Sequence, residues 1–135
     1  MKKTFLIGLL VATIVFAGCN VSFTTANITD GAMSSDVKDG APVDTVEVFA
    51  QDAPVLYAVG ILNNAPAETN IRFVWNYVTE PQEIYEIDFT TEEQSGIYVF
   101  SELTNDGLWP IGDYNVEVYI DDRTDPDATI EFSVE

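Results

Sequence analysis

The stretch Leu108–Asp122 constrains the fold of this chain more than any other part of the sequence. It begins with a Trp-Pro-Ile-Gly turn and continues as a segment in which apolar and polar residues alternate. The residues on the apolar side are Tyr114, Val116, Val118 and Ile120. The residues on the other side are Asn115, Glu117, Tyr119 and Asp121. A period of two predicts an antiparallel strand with one buried face.

Six other segments have the character of short strands and are separated by turn residues. The predicted strands are Thr45–Ala50, Val55–Leu62, Thr69–Thr79, Ile84–Thr90, Ile97–Leu103 and a final strand with Ile130, Phe132 and Val134 inward. Together with the opening stretch they make seven strands in 135 − 43 = 92 residues. This spacing predicts an all-β fold, an immunoglobulin-like antiparallel β-sandwich of immunoglobulin or fibronectin III type. A small closed barrel fits the strand count less well.

Two aromatic residues occupy positions that such sandwiches use in a characteristic way. Trp75, in the third predicted strand, stands where a core tryptophan is expected. Tyr114 follows the turn into the sixth strand, where a tyrosine corner joins the ring to backbone upstream. Val55–Leu62 is apolar on both sides and is interpreted as a buried strand.

The charge of the chain restricts its partners. The formal net charge is −18, and without Lys2 and Lys3 the balance is 3 − 23 = −20. Such a surface repels phosphate backbones and anionic headgroups, which excludes a nucleic-acid partner. Solubility of a secreted domain or a saline habitat explains the acidity. With one cysteine and no histidine, the sequence offers no intrachain disulfide and no Cys/His zinc site, and we expect no cofactor.

The N-terminus has the organisation of an export signal. Two lysines precede a 13-residue largely apolar run, Thr4–Phe16, too short for a spanning helix and of the size of a signal h-region. Ala17-Gly18-Cys19 follows and resembles the bacterial lipobox, although Phe16 departs from the usual leucine. We therefore predict a signal peptide over 1–18 and lipidation of Cys19; an ordinary cleaved signal is the alternative. Lipidation would place the protein outside the cytoplasm, anchored to the bacterial membrane, and Asn20 favours the outer membrane in a Gram-negative host.

The segment after the cysteine is rich in small and polar residues without sustained periodicity. We predict a flexible linker over 19–43 that includes the lipidated cysteine. The folded domain is then expected over 44–135.

Several segments carry a resemblance to a known class of proteins. They are Leu56–Ala58, Leu62–Pro66, Arg72–Tyr77, Trp109–Asp121 and Phe132–Val134. The set resembles bacterial and archaeal envelope lipoproteins that carry a single small immunoglobulin-like, fibronectin III-like module. The resemblance covers about the last two-thirds of the chain. It implies a fold and an envelope location, and no activity comes with it.

Three residues are candidates for binding. Trp109 lies in a connection and Tyr119 on the outward side of its strand, and exposed aromatic rings stack on sugars or anchor protein partners. Trp109 folded over the end of the sandwich is the structural alternative. Arg72 joins Val74, Asn76, Glu117 and Tyr119 on one outer face if the third and sixth strands are neighbours.

The acidic residues provide no well-defined site. Asp121–Asp127 holds four carboxylates in a predicted hairpin loop, but it lacks the spacing and the glycine of a calcium loop and contains Arg123. An acidic turn without a metal is the preferred interpretation. The acidic residues between Glu80 and Glu93 single out no catalytic pair.

Three functions remain open. The first is a lipid-anchored module that holds a protein partner in the envelope. The second is a carbohydrate-binding module for cell-wall or extracellular glycan, favoured by an exposed row of aromatic residues. An enzyme is the least favoured, because neither histidine nor any catalytic motif is present.

Overall fold

The computed structural model describes residues 24–135, and this region is built from strands. The strands are β1 (Asn27–Ser34), β2 (Val37–Lys38), β3 (Ala41–Pro42), β4 (Val48–Phe49), β5 (Val55–Asn63), β6 (Thr69–Tyr77), β7 (Gln82–Thr91), β8 (Ile97–Thr104), β9 (Gly112–Ile120) and β10 (Ala128–Val134). Seven are long, and β2, β3 and β4 have two residues each. In residues 24–135 no helix is long and apolar enough to cross a membrane.

The strands form two stacked sheets and a small hairpin. One sheet has the order β1-β5-β8 and the other β4-β10-β9-β6-β7, while β2 pairs with β3. All pairings between long strands are antiparallel, and only β4 runs parallel to its neighbour β10. This arrangement confirms the predicted immunoglobulin-like antiparallel β-sandwich.

The core lies between the two sheets and contains the apolar side of β9, as its alternation predicted. Tyr114, Val116, Val118 and Ile120 are all buried. Trp75 of β6 is fully buried, and its Nε1 donates a hydrogen bond to the Ser101 hydroxyl of β8 at 3.0 Å. This bond satisfies the indole N–H inside the core, and it places β8 over β6.

The predicted tyrosine corner is present at the start of β9. The Tyr114 hydroxyl donates to the Pro110 carbonyl, four residues upstream, at 2.6 Å. Gly112 lies between them with φ +147°, a conformation that side chains rarely adopt. A β-carbon there would stand 2.8 Å from the Tyr77 hydroxyl, so glycine is required for space as well. Burial raises the pKa of Tyr114 to about 12, and the nearby Tyr77 adds to the shift.

The linker predicted over 19–43 is wrong for the part that the structure describes. Asn27–Ser34 forms β1, pairs with β5, and contributes Ile28 and Met33 to the core. Ile28 and Met33 are five positions apart and would face opposite sides of a regular strand. The register shifts between Thr29 and Ala32, and this bulge brings both side chains inward. Because the bulge breaks the alternation, the sequence shows no period of two there.

The predicted domain boundary at residue 44 moves for the same reason. The predicted strand Thr45–Ala50 is reduced to the two residues of β4. Gly60 of β5 leaves room for β1, since a β-carbon there would lie 2.7 Å from Ile28 Cγ2. The domain therefore includes β1, and the seven long strands differ from the predicted seven by one member. The predicted signal peptide over 1–18 and Cys19 lie outside the described residues.

Candidate functional site

The outer face of the five-stranded sheet carries two of the predicted binding residues. β6 and β9 are neighbours, and Arg72 stands opposite Tyr119 in their register. The Arg72 guanidinium carbon lies 4.4 Å from the centroid of the Tyr119 ring, a cation–π contact. The same guanidinium donates to the Glu86 carboxylate of β7 at 3.1 Å. The predicted placement of Arg72 and Tyr119 on one face is confirmed.

The remaining polar side chains of this face bind one another. Asn76 donates one hydrogen bond to Asn115 and one to Glu117, both at 2.9 Å. The Tyr119 hydroxyl donates to Glu117 at 3.2 Å. Burial, followed by the charge of Glu117, raises the pKa of Tyr119. A partner docking here would have to compete with this network. Binding by Arg72 and Tyr119 stays a prediction.

Trp109 does not provide the exposed ring that a stacking platform needs. Its side chain is only 4% exposed, and Nε1 donates to the Ala53 carbonyl at 2.7 Å. Its backbone N–H donates to the Gln51 carbonyl at 2.9 Å, and the Gln51 side-chain amide donates back to the Trp109 carbonyl. These bonds fold the connection between β8 and β9 over the end of the sandwich. Trp109 is therefore a structural residue, and its prediction as a binding residue is wrong.

The acidic loop after β9 ties the start of β1 to the sandwich. Asp127 accepts hydrogen bonds from the Ile28 backbone N–H at 2.5 Å and from Arg123 at 2.8 Å. Arg123 also donates to the Thr24 carbonyl at 3.2 Å. Asp121 accepts from the Asn70 backbone N–H at 2.9 Å. Two of the four carboxylates in the Asp121–Asp127 loop thus accept hydrogen bonds from within the chain. In residues 24–135 no cluster of three metal-ligating side chains occurs.

Exposed apolar side chains concentrate around β7 and β8. The three-stranded sheet ends at β8, which lies over β6, so β7 extends beyond the strands that face it. Tyr85 and Ile87 stand opposite Trp75 and Phe73 in the register and therefore point toward the inner side. They are nevertheless 38% and 39% exposed, because no strand in the described part of the chain covers them.

A second apolar row lies on the outer face of β8. Tyr98 and Phe100 are 41% and 39% exposed and stand opposite Ile61 and Val59 of β5. Tyr57 adjoins Phe100, with ring centroids 6.2 Å apart and planes inclined by 57°. We call Tyr85, Ile87, Tyr98 and Phe100 together the β7–β8 flank.

The β7–β8 flank was missed by reasoning from the sequence. The alternation of β7 predicts that Tyr85 and Ile87 point inward, which is correct, but inward does not mean covered. In β8 the consecutive residues Ile97, Tyr98, Val99 and Phe100 are all apolar, so both faces of the strand carry apolar side chains. That run was the available signal for an apolar outer face.

Comparisons with known proteins support the fold and do not identify a family. No family model and no curated protein matches the sequence. The chain is similar to part of the alkylpurine DNA glycosylase AlkC of Pseudomonas fluorescens, solved bound to DNA containing an abasic-site analogue. The identity is 13%, the TM-score is 0.50, and the match covers 83% of this chain and 31% of that one. The chain therefore spans about a third of that protein, and the likeness shows a shared fold alone.

A second similar structure is the sensor domain of the anti-sigma factor RsgI4 of Pseudobacteroides cellulosolvens. The identity is 10%, with a TM-score of 0.46 and coverage of 85% of this chain and 97% of that one. A likeness at this level carries no argument about function. The function has to be argued from the surface of the chain itself.

Proposed function

We propose that this chain is a lipid-anchored extracytoplasmic protein whose sandwich holds a protein partner at the membrane and catalyses no reaction. The observation that carries the proposal is the β7–β8 flank. Its four residues are each about two-fifths exposed, two on the inner side of β7 and two on the outer face of β8, in a strongly acidic domain. Apolar side chains exposed in groups on an otherwise charged surface mark interaction sites.

The anchor rests on the sequence of the leader, in which Cys19 ends the lipobox-like Ala17-Gly18-Cys19. Because β1 belongs to the sandwich, the tether is short. Within residues 24–135 the first core residue is Ala26, so at most residues 20–25 separate the lipidated cysteine from the domain. Six extended residues reach no more than about 20 Å. The sandwich is then held close to the membrane, and a partner in or on that membrane is within reach.

The surface suits a binding module better than an enzyme. Two grooves in the described part of the chain, of about 600 and 590 Å³, are open to solvent. The second contains Arg72, Glu86 and Tyr119, which are bonded to one another. Enzymes usually enclose their substrates in a concave, mostly apolar site. Neither groove has that character.

A carbohydrate-binding module is the second candidate, and the exposed rings of Tyr98 and Phe100 are the observation that favours it. Sugar rings stack best on aromatic rings that share a plane. The Tyr57 and Phe100 rings are inclined by 57° to each other, and aliphatic Ile61 lies in the same row. This mixed and uneven surface favours a protein partner over a flat glycan.

Two measurements test the proposal. Cys19→Ser should abolish labelling by a clickable palmitate analogue and release the protein from the membrane fraction; a wild type that takes no label refutes the anchor. A photo-crosslinking phenylalanine derivative is then placed at Tyr98, at Tyr119 or at Val48, which is 49% exposed on β4.

In intact host cells we expect position 98 to form an adduct with a discrete envelope protein and position 48 to form none. Adducts from position 119 instead would place the partner on the Arg72 face. Adducts with cell-wall glycan would establish the second candidate. Equal labelling from all three positions would contradict a specific interaction module.

A further inference from the structure

The sandwich contains an unfilled strand position beside β8. In the five-stranded sheet β7 follows β6, but in the three-stranded sheet no strand of residues 24–135 follows β8. β1 contacts β10 at one side of the sandwich, and β8 lies over β6 at the other. A fourth strand paired with β8 would therefore lie over β7. It would use the backbone groups at the free edge of β8, an eight-residue strand.

The exposed apolar residues lie on both sides of this position. An added strand would place alternate side chains against Tyr85 and Ile87, on the inner side of β7. Its other side chains would stand next to Tyr98 and Phe100, on the outer face of β8. One strand would thus cover both apolar rows of the β7–β8 flank. Their coincidence beside one free edge distinguishes this position from the edge at β4, which is only two residues long.

We propose that this position binds an extended segment of the partner protein by strand addition to β8. Backbone pairing supplies the affinity in this mode of recognition, and side chains at alternate positions supply the specificity. The proposal rests on the proposed function only in taking the partner to be a protein. It deepens that function by naming the surface and the kind of segment that occupies it.

The β8 edge of a second copy of this chain does not fit the position. The β8 strand of another copy already has its inner side covered, because its Ser101 bonds Trp75 of its own β6. If β8 of the second copy lay over β7 of the first copy, β6 of the second copy would occupy the same space as β7 of the first. Two copies without the leader, with 3 basic and 23 acidic residues each, also repel. The occupant must therefore have its inner side uncovered, as an extended segment outside any sheet has.

The charges around the β7–β8 flank define the rest of the segment. Glu102 is exposed on β8 beyond Phe100, and Glu92 and Glu93 are exposed in the loop before β8. The Glu102 carboxylate also raises the pKa of the Tyr57 hydroxyl by accepting its hydrogen bond, with burial as a smaller cause. Acidic groups thus stand near both ends of the edge. Because both of its faces meet apolar rows, the matching segment is a short continuous apolar run with lysine or arginine at its ends.

The test is a selection from a displayed library of random peptides of about twelve residues, long enough to pair with a whole strand. The bait is the whole chain with Cys19→Ser, immobilised. We expect enriched peptides to share a run of about four to six apolar residues flanked by basic ends. Their binding should fall by about tenfold or more in Ile87→Ser and in Phe100→Ser. Val48→Ser also replaces an exposed apolar residue by serine, on the opposite edge where Val48 is 49% exposed, and it should change binding by less than about twofold.

Hydrogen exchange of the bait decides whether the backbone is used. On peptide binding, alternate amides of β8 should become protected, while those of β4 exchange as before. The proposal is overturned if no peptide is enriched, if enriched peptides lack the apolar run, or if Val48→Ser weakens binding as much as Ile87→Ser. An envelope adduct from Tyr98 with no protection of β8 would leave the interaction module standing and refute strand addition alone.

Discussion

Removing the hydroxyl of Tyr114 is the most direct test of how this sandwich is closed at one end. The hydroxyl donates to the Pro110 carbonyl at 2.6 Å, and the ring is 3% exposed. The ring stacks on Phe132 with centroids 5.0 Å apart and planes within 13°, and lies 4.9 Å from the Tyr77 ring. Phenylalanine preserves these ring contacts. Tyr114→Phe therefore isolates the contribution of one hydrogen bond.

The expected cost follows from the surroundings of that bond. A hydrogen bond contributes about 0.5–1.5 kcal/mol net, and a buried acceptor left without a partner costs about 1–3 kcal/mol. This bond is only partly buried, so water reaches the Pro110 carbonyl in part. We expect Tyr114→Phe to lower the free energy of unfolding by about 1–2 kcal/mol.

The matched control is Tyr119→Phe on the same strand. The Tyr119 hydroxyl bonds Glu117 at 3.2 Å on the outer face, where water replaces the lost partner. Its loss should change the free energy of unfolding by less than about 0.5 kcal/mol. The assay is urea unfolding of the soluble chain 20–135, with midpoints compared at unchanged slope. A cost for Tyr119→Phe equal to or above that of Tyr114→Phe would refute the tyrosine corner as the stabilising element.

Three further outcomes follow from the same structure. Met33→Ala should lower the free energy of unfolding in urea by about 2–5 kcal/mol, because Met33 is fully buried in the core. Val37→Ala on β2 should lower it far less. Two equally mild effects would mean that β1 is not part of the fold. The free energy of unfolding should fall between pH 10 and 12, because folding raises the pKa of Tyr114 from 10.0 to about 12. The stabilisation from the protonated Tyr114 hydroxyl is complete below the pKa of the unfolded chain and is lost as the pH rises through the pKa of the folded chain. Tyr114→Phe should flatten this decline, and identical curves for the two proteins would contradict the shift. Added sodium chloride should raise the melting temperature, since 23 acidic residues repel one another; a melting temperature indifferent to salt would refute that account.

Strand alternation predicted correctly which side each β9 residue faces. Tyr114, Val116 and Val118 are buried as expected, because a period of two follows from the geometry of a strand alone. The same local reasoning failed for β1, where a bulge changes the parity between Ile28 and Met33. A bulge is stabilised by pairing with β5, far along the chain, and leaves little trace in the local pattern.

The candidate site was harder to predict, because exposure depends on what lies opposite. Trp109 sits in a connection, where exposure was plausible, yet backbone at Gln51 and Ala53 closes around it. Ile87 points inward as its alternation predicts, yet it is exposed. Ile87 and Phe73, its fully buried partner across the strands, both occupy inward positions of an alternating strand, and that alternation does not show which of the two is covered.

The sequence by itself determined the strand character of the chain, the inward side of β9, the tyrosine corner at Tyr114 and the strong negative charge. Each depends on residues within a few positions of one another or on composition alone. Only the tertiary structure decided that β1 completes the core, that Trp109 is buried and that the β7–β8 flank is open. The reason is that a side chain is covered by strands from distant parts of the chain, and here the facing sheet ends one strand before β7.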